Sequence, residues 1–531
     1  MSAHTKSVAI FDTTLRDGMQ GLEINYSLED KLSIAKKLDE IGIDYIEGGF
    51  PLSNDKEAAF FNHCKSMSFS HAKIASFGST RKPGGKAESD GHIRALLEAQ
   101  TPVVVIVGKT WMAHVEKVLG TTAKENLAMI ADSISFLKRE GREVVFDLEH
   151  FFDGYKDHRD YALEVLKTAS HAGADVLVPC DTNGGTLPHE VSAIYEDLKS
   201  QSLAPLGGHF HNDCGTAVAN SLAAVQGGAV HIQGTINGWG ERCGNANLCA
   251  IMPNLTLKMG YHAACADHME KLTSLSRFVA EKANIIPDKR QPYVGIASFS
   301  HKAGQHADVI LKAAHLMEHL DGSLVGNHRQ VLLSELAGKS TIVEKMKKYG
   351  SFEKNHPAVE TLIRTLKDKE NDGYEYEAAE GSFDLLMRQA LGEYKQLIEL
   401  KNYHLESYKT ANAQSKTVGR MFLSDQGREV MGAAVCIGPV ETLDGSLRDA
   451  LSPHYPFLDG LRLTDYRVRV LNPESASAAK VRVFITSTNG DEEWTTVGVN
   501  ENIVEASWEA LVDSYEYYYN NHYEELPPEA R

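Results

Sequence analysis

The sequence predicts an α/β protein. Residues 1–265 form a (β/α)8 TIM barrel, residues 266–410 a mostly helical linker region, and residues 411–531 a C-terminal α+β domain. Three observations predict this. Short apolar runs alternate with helical patterns about eight times in roughly 260 residues, the pattern of a barrel of parallel strands. Polar residues suited to chemistry fall just after those runs, where such a barrel builds its sites. Beyond residue 413 the pattern becomes strand-like again, with turn signals between the runs.

The strand candidates are residues 8–15, 45–50, 73–77, 102–107, 143–149, 176–180, 207–212 and 231–235. Between them, residues 28–41, 126–140, 161–172 and 216–226 carry helical periodicity. Ser27-Leu-Glu-Asp30 opens the first of these helices with acids in its first turn, and Thr122-x-x-Glu125 opens the second as a capping box. A doubly wound open sheet would satisfy the same alternation. Residues 267–400 read mostly helical, with a joint at Ser300-His-Lys-Ala-Gly-Gln-His306 and a turn at Asn371-Asp-Gly373. In the last domain, strands are expected at 466–471 and 481–486, a hairpin turn at Thr488-Asn-Gly-Asp491, and a helix over 503–519. No internal repeat is evident beyond the strand–helix alternation.

Composition excludes several classes. The longest apolar run, near residues 103–107, suits a buried strand and falls far short of a membrane span. No basic region precedes an apolar segment at the start, so no secretory signal is expected. Seven cysteines form no C-x-x-C pair, which favours reduced thiols in a cytoplasm. The formal net charge is −18 and no basic stripe stands out, so a nucleic-acid partner is not expected. That charge also repels anionic small molecules at long range, so such a substrate would need local cations.

Candidate chemistry centres on Phe11-Asp-Thr-Thr-Leu-Arg-Asp-Gly-Met-Gln20 and Gly208-His-Phe-His-Asn-Asp213. An acid and two imidazoles suit a divalent metal. His209 and His211 share one face of a strand because side chains repeat every two residues. Asp17 follows the first strand, and Arg16 beside it is a permanent cation able to face an oxyanion. Each piece also has a plainer reading: hydrogen-bonded strand histidines, or a tight turn that requires Gly18. Asn245, in the glycine-rich loop 237–247, would offer the metal a neutral oxygen. No Walker lysine accompanies that loop, and Glu241 and Arg242 are expected to pair within it. Glu149 lies among aromatics at the end of the fifth strand, a candidate for proton transfer or a structural acid paired with Arg159 or His150. Asp181 and Thr182 follow the sixth strand. His306, oriented by Asp308, is either a general base or a structural histidine.

Asp12-Thr-Thr-Leu-Arg-Asp-Gly18, Gly208-His-Phe-His-Asn-Asp213 and Gly238-Trp-Gly-Glu-Arg-Cys-Gly-Asn245 together resemble the α-isopropylmalate synthase, homocitrate synthase and citramalate synthase family. Tyr45-Ile-Glu-Gly-Gly-Phe-Pro51, Leu148-Glu-His-Phe-Phe-Asp-Gly154 and Leu324-Val-Gly-Asn327 are most similar to its (R)-citramalate synthase branch. The resemblance extends to the C-terminal domain, which is similar to that family's regulatory, dimer-forming domain. It implies an acyltransferase that condenses acetyl-CoA with a 2-oxo acid and hydrolyses the thioester. In the citramalate branch the acceptor is pyruvate and the route leads to isoleucine. It also implies a metal (Mn, Mg or Zn) on Asp17, His209 and His211 with Asn245 nearby. Arg16 would stabilise oxyanion charge, Thr182 would hold the substrate carboxylate, and Glu149 and His306 would activate acetyl-CoA. Asp308 would orient or contact substrate, and isoleucine would act as effector of a homodimer. The alternatives are a 2-isopropylmalate synthase, a metal-dependent acyl-CoA lyase, a biotin-dependent carboxyltransferase and a nonenzymatic regulator. The C-terminal domain argues for a synthase over a lyase, and no Ala-Met-Lys-Met biotin site is present.

Overall fold

The computed structural model describes the chain from residue 6 to residue 526, apart from 202–203, 302–312, 332–338, 377, 410, 412–413, 426 and 472–478. The chain divides into two compact units, Met1–Phe299 with Leu320–Arg329, and Ser300–His319 with Gln330–Arg531.

In the first unit, eight parallel strands close into a barrel in sequence order. They are β1 (Ala9–Asp12), β2 (Tyr45–Gly49), β3 (Lys73–Ser79), β4 (Val103–Lys109), β5 (Glu143–Glu149), β6 (Val176–Asp181), β7 (Gly207–Phe210) and β8 (His231–Gly234). β8 pairs in parallel with β1, and this closure excludes the open sheet. Each strand divides its side chains by the period of two. Ile10, Ile46, Ile74, Val104, Ile106, Val144, Phe146, Leu177 and Ile232 join the core between barrel and helices. Phe11, Ala75, Val103, Val105, Val145, Val178 and Cys180 fill the lumen. Burial on both faces is why these strands read as apolar runs rather than alternating ones.

The helices follow the expected positions with two differences. α1 (Leu28–Ile41) has a complete capping box, Ser27 with Asp30, and ends at Gly42 in the left-handed region. α5 (Ala123–Arg139) has only half of one. Thr122 accepts from the Glu125 amide, but the Glu125 carboxylate instead accepts from Arg81 Nη1 at 2.8 Å and the Gly84 amide at 2.9 Å. α6 (Phe151–His171) begins at residue 151, ten before the expected start, because Phe151 and Phe152 bury against the barrel as helical rather than strand residues. It carries a kink at His158. The remaining barrel helices are α2 (Asp55–Cys64), α3 (Gly91–Glu98), α4 (Met112–Lys117), α7 (Pro188–Leu198) and α8 (Ala217–Gln226). α9 (Leu248–Pro253) and α10 (Leu272–Lys282) follow the last strand. Among the described residues no helix is long and apolar enough to cross a membrane, and all seven cysteines are free thiols.

The second unit contains a two-residue parallel pair, β9 (Ser300–His301) with β10 (Gln330–Val331), and the helices Lys339–Met346, Pro357–Asn371 and Glu380–Leu391. Two antiparallel sheets follow. One is β11 (Glu399–Tyr408), β12 (Lys416–Asp425) and β13 (Arg428–Cys436); the other is β14 (Arg462–Val470), β15 (Val481–Thr488) and β16 (Glu493–Asn500). Each is followed by a helix packed on it, Pro439–Leu451 and Ile503–His522. Three strands and a helix therefore occur twice, a structural repetition that leaves no self-similarity in the sequence. β11 starts before the strand-like pattern does, because it is an edge strand with mostly exposed, polar residues. The expected hairpin turn joins β15 to β16, with Gly490 at φ +99°.

One buried ion pair supports the loop after β2. Lys31 Nζ lies 2.5 Å from Glu57 Oε1, and the lysine side chain is fully buried over the Phe60 ring. Gly49, at φ +131°, accommodates this carboxylate: a Cβ there would sit 1.6 Å from Glu57 Oε2. Removing one member leaves the other charged and unpaired in a dry site. Lys31→Met is therefore expected to destabilise the barrel by about 3–5 kcal/mol. Lys31→Met combined with Glu57→Leu should recover most of the loss in calorimetric melting; equal melting of the single and double variants would contradict this account.

Candidate metal centre and active site

The site is assembled at the C-terminal mouth of the barrel. The turn after β1 is tied to β8: Thr13 Oγ1 donates to the Gly234 carbonyl at 3.1 Å, and Thr14 Oγ1 accepts from the Ile236 amide at 2.9 Å. The Asp12 carboxylate accepts from the Thr14 amide and hydroxyl at 2.9 and 2.8 Å. These bonds fix the turn that presents Arg16 and Asp17. Gly18 is not demanded by this turn: its φ is not positive and a Cβ would meet its nearest neighbour at an ordinary 3.6 Å.

Asp17, His209 and His211 meet. Their side chains are only 2–6% exposed, and one ligand atom from each lies within 4.8 Å of the others. Asp17 Oδ2 is 3.4 Å from His209 Nε2 and 3.8 Å from His211 Nε2. His209 ends β7 with Phe210; His211 lies just beyond the strand, bridged through its backbone to Asn245. Asp17 Oδ1, His211 Nδ1 and both amide atoms of Asn245 are buried without a hydrogen-bond partner. Buried polar atoms are rarely left so. A shared cation would take up the Asp17 and Asn245 oxygens, and an acid, two imidazoles and an amide oxygen suit one chemically. The loop geometry gives the amide its space: a Cβ on Gly240 would lie 2.4 Å from Asn245 Nδ2, and Gly244 turns at φ +92°.

The three groups are not charged alike. Burial disfavours the charge on Asp17, but Arg16 and His209 outweigh it and hold the carboxyl far below the usual range. Burial, followed by the adjacent His209, pushes His211 down to about 4, leaving it a neutral donor of lone pairs. For His209 burial acts downward, but its hydrogen bond and attraction to Asp17 carry it above the ordinary value.

Arg16 is held on three sides. Its Nε donates to Glu47 Oε2 at 2.6 Å, Nη1 lies 3.3 Å from Asp17 Oδ2, and the guanidinium stacks 4.0 Å from the Phe77 ring centre. Glu47 is fully buried on β2; burial pushes it up to about 7, although Arg16 opposes the shift. Below His209, Gln233 Oε1 lies 2.8 Å from Nδ1, and Gln233 Nε2 donates to Asp147 Oδ1 at 3.0 Å. Glu47, Asp147 and Gln233 were not among the residues expected from sequence. For Glu47 and Asp147 the signal is an acid at an inward position beside apolar residues; Gln233, in the short strand His231-Ile-Gln-Gly234, lacks that contrast.

Other expected residues are placed as follows. The Thr182 hydroxyl accepts from the His150 amide at 2.9 Å, and the Thr182 carbonyl accepts from Arg242 Nη2 at 2.7 Å. Asp181 instead secures the next turn through the Thr186 amide and hydroxyl. Glu149 pairs with Lys109 across β4 and β5. It does not pair with Arg159, which binds Asp197 at 2.6 Å, or with His150, which lies 3.2 Å from Asp153. Arg242 grips Asp213 at 2.8 and 3.0 Å; Glu241 lies farther away, at 3.5 Å. His306 and Asp308 lie outside the described residues.

Three family models match successive parts of the chain: HMGL-like over residues 7–279, homocitrate synthase post-HMGL domain-like over 293–373, and LeuA allosteric (dimerisation) domain over 377–519. An (R)-citramalate synthase of Aquifex aeolicus is 48% identical, covering 96% of this chain and 98% of that one. Another from Synechocystis sp. is 44% identical, covering 97% of each. A 2-isopropylmalate synthase of Staphylococcus epidermidis is only 30% identical, over 96% of this chain and 97% of that one. With identity nearly half along almost the entire length, and with Arg16, Asp17, His209 and His211 gathered at the barrel mouth, the chain belongs to the (R)-citramalate synthase family.

Proposed function

We propose that the protein condenses acetyl-CoA with pyruvate and hydrolyses the resulting thioester, giving (R)-citramalate and CoA in isoleucine biosynthesis. The observation that carries this reading is the convergence of Asp17, His209 and His211 beside Arg16 at the barrel mouth. Full-length similarity to (R)-citramalate synthases supports pyruvate as acceptor.

In this reading Asp17, His209 and His211, with Asn245, hold a divalent cation (manganese, magnesium or zinc), which when bound supplies Lewis-acid polarisation to the ketone of the 2-oxo acid. Thr182 binds the acceptor's carboxylate. Removing a proton from the acetyl methyl requires a base, assigned to Glu149 and His306, with Asp308 contacting substrate. The resulting carbanion forms a carbon–carbon bond to the ketone carbon of pyruvate, and the ketone oxygen takes up a proton. Arg16, pinned by Glu47, faces the negative oxygen that develops during these steps. Water then cleaves the thioester, releasing CoA and the dicarboxylate product. Arg16, together with the cation, supplies the local positive charge needed to draw an anion into a protein of net charge −18. The C-terminal domain joins two copies and takes isoleucine as effector, and the reduced thiols suit a cytoplasmic enzyme.

A 2-isopropylmalate synthase is the second reading, since the similarity to those enzymes also spans the chain. The acceptors differ by only two methyl groups, each worth about 1–3 kcal/mol in a pocket. Three outcomes are expected. Thiol release and product analysis with acetyl-CoA should show a preference for pyruvate over 2-oxoisovalerate and 2-oxoglutarate; preference for 2-oxoisovalerate would favour the second reading. Verified metal removal should abolish turnover, with recovery on adding back Mn²⁺, Mg²⁺ or Zn²⁺. Arg16→Lys should lower kcat by ~10²–10³ in a folded protein, because a point charge does not reproduce the guanidinium fork.

A further inference from the structure

His209 and His211 are not held alike. His211 Nδ1 is buried without a partner, whereas His209 Nδ1 is tethered by two further side chains. The tether runs inward from β7 to Gln233 on β8 and then to Asp147 on β5, all buried. Asp147 stands one inward position above Val145, in a lumen whose apolar filling includes Phe11, Val103, Val105 and Val178. A carboxylate and an amide in such surroundings are costly unless their hydrogen bonds are made.

The direction of the hydrogen bonds is determined by chemistry. The Asp147 carboxylate accepts, so the Gln233 amide nitrogen must face it. The Gln233 oxygen then faces His209, and an oxygen can only accept. Nδ1 of His209 therefore carries a hydrogen, and Nε2 is the nitrogen left facing Asp17, 3.4 Å away, free to give up its own proton when a cation binds. Ring nitrogens opposite a metal are commonly fixed in this way.

We infer that Gln233, held by Asp147, is a positioning residue that sets the tautomer and ring plane of His209 and thereby the site's affinity for its cation. This rests on the metal reading above, and the test separates the two. Metal-stripped full-length protein is titrated with Mn²⁺ and followed by electron paramagnetic resonance, while nitrogen-15 NMR monitors the His209 imidazole. Wild type should bind one Mn²⁺ and show a protected Nδ1–H. Gln233→Leu should weaken binding by ~10–100-fold and lose that signal while melting as a folded protein. Gln233→Glu alone should also weaken binding, because two buried carboxylates then face each other. Adding Asp147→Asn to Gln233→Glu reverses the polarity of one bond: the new amide at 147 donates to the new carboxylate at 233, whose other oxygen accepts from His209. This double variant should regain most of the affinity and the Nδ1–H signal. Wild-type affinity in Gln233→Leu, or no recovery in the folded double variant, would overturn the inference. Absence of Mn²⁺ binding by wild type would overturn the metal reading instead.

Discussion

Keeping Asp17 ionised in a nearly dry barrel mouth is the constraint on which the rest of the site depends. Its carboxylate is the common neighbour of Arg16, His209 and His211. Burial alone would neutralise it. Arg16 prevents this, and Arg16 must itself be held, which Glu47 and the Phe77 face accomplish. The arrangement therefore alternates charge from Glu47 on β2 to Arg16 and Asp17 in the turn after β1, with the His209 imidazole beyond them. Each charge is acceptable only because the next is present.

The closed barrel makes such an arrangement possible. Parallel strands bring their carboxyl ends to one rim, so residues nearly two hundred positions apart become neighbours without long loops. The turn after β1 is sewn to β8, so the acid and the cation beside it cannot drift relative to the histidines of adjoining β7. The glycines at 240 and 244 matter for a related reason. They bring the backbone close enough for the Asn245 amide to lie buried rather than in solvent.

The eight strands were legible because both faces of each are buried, which writes an apolar run directly into the chain. Asp17, His209 and His211 were legible because period-two spacing and rim position point to convergence in a closed barrel, and the family motifs mark the same three residues. Other features lacked a local signal. β11 is an exposed edge strand, so its burial leaves little mark on composition. The start of α6 was hidden by Phe151 and Phe152, whose aromatic character resembles a strand. The partner of Glu149 lies on the neighbouring strand, at Lys109, a cross-strand register that sequence distance does not reveal. Glu47 and Asp147 stood in plain view as acids among apolar residues, but only closure of the barrel shows which way they and Gln233 point.

β5 carries Val145, Asp147 and Glu149 along one face. At about 3.3 Å per residue, the two acids stand some 6.6 Å apart along the strand. The strand is thus a ruler with two marks, one in the lumen and one at the rim. Inserting or deleting a single residue below them would move both marks at once and turn them towards the helices. Such lesions should be far scarcer in β5 among descendants of this gene than in the loops on either side.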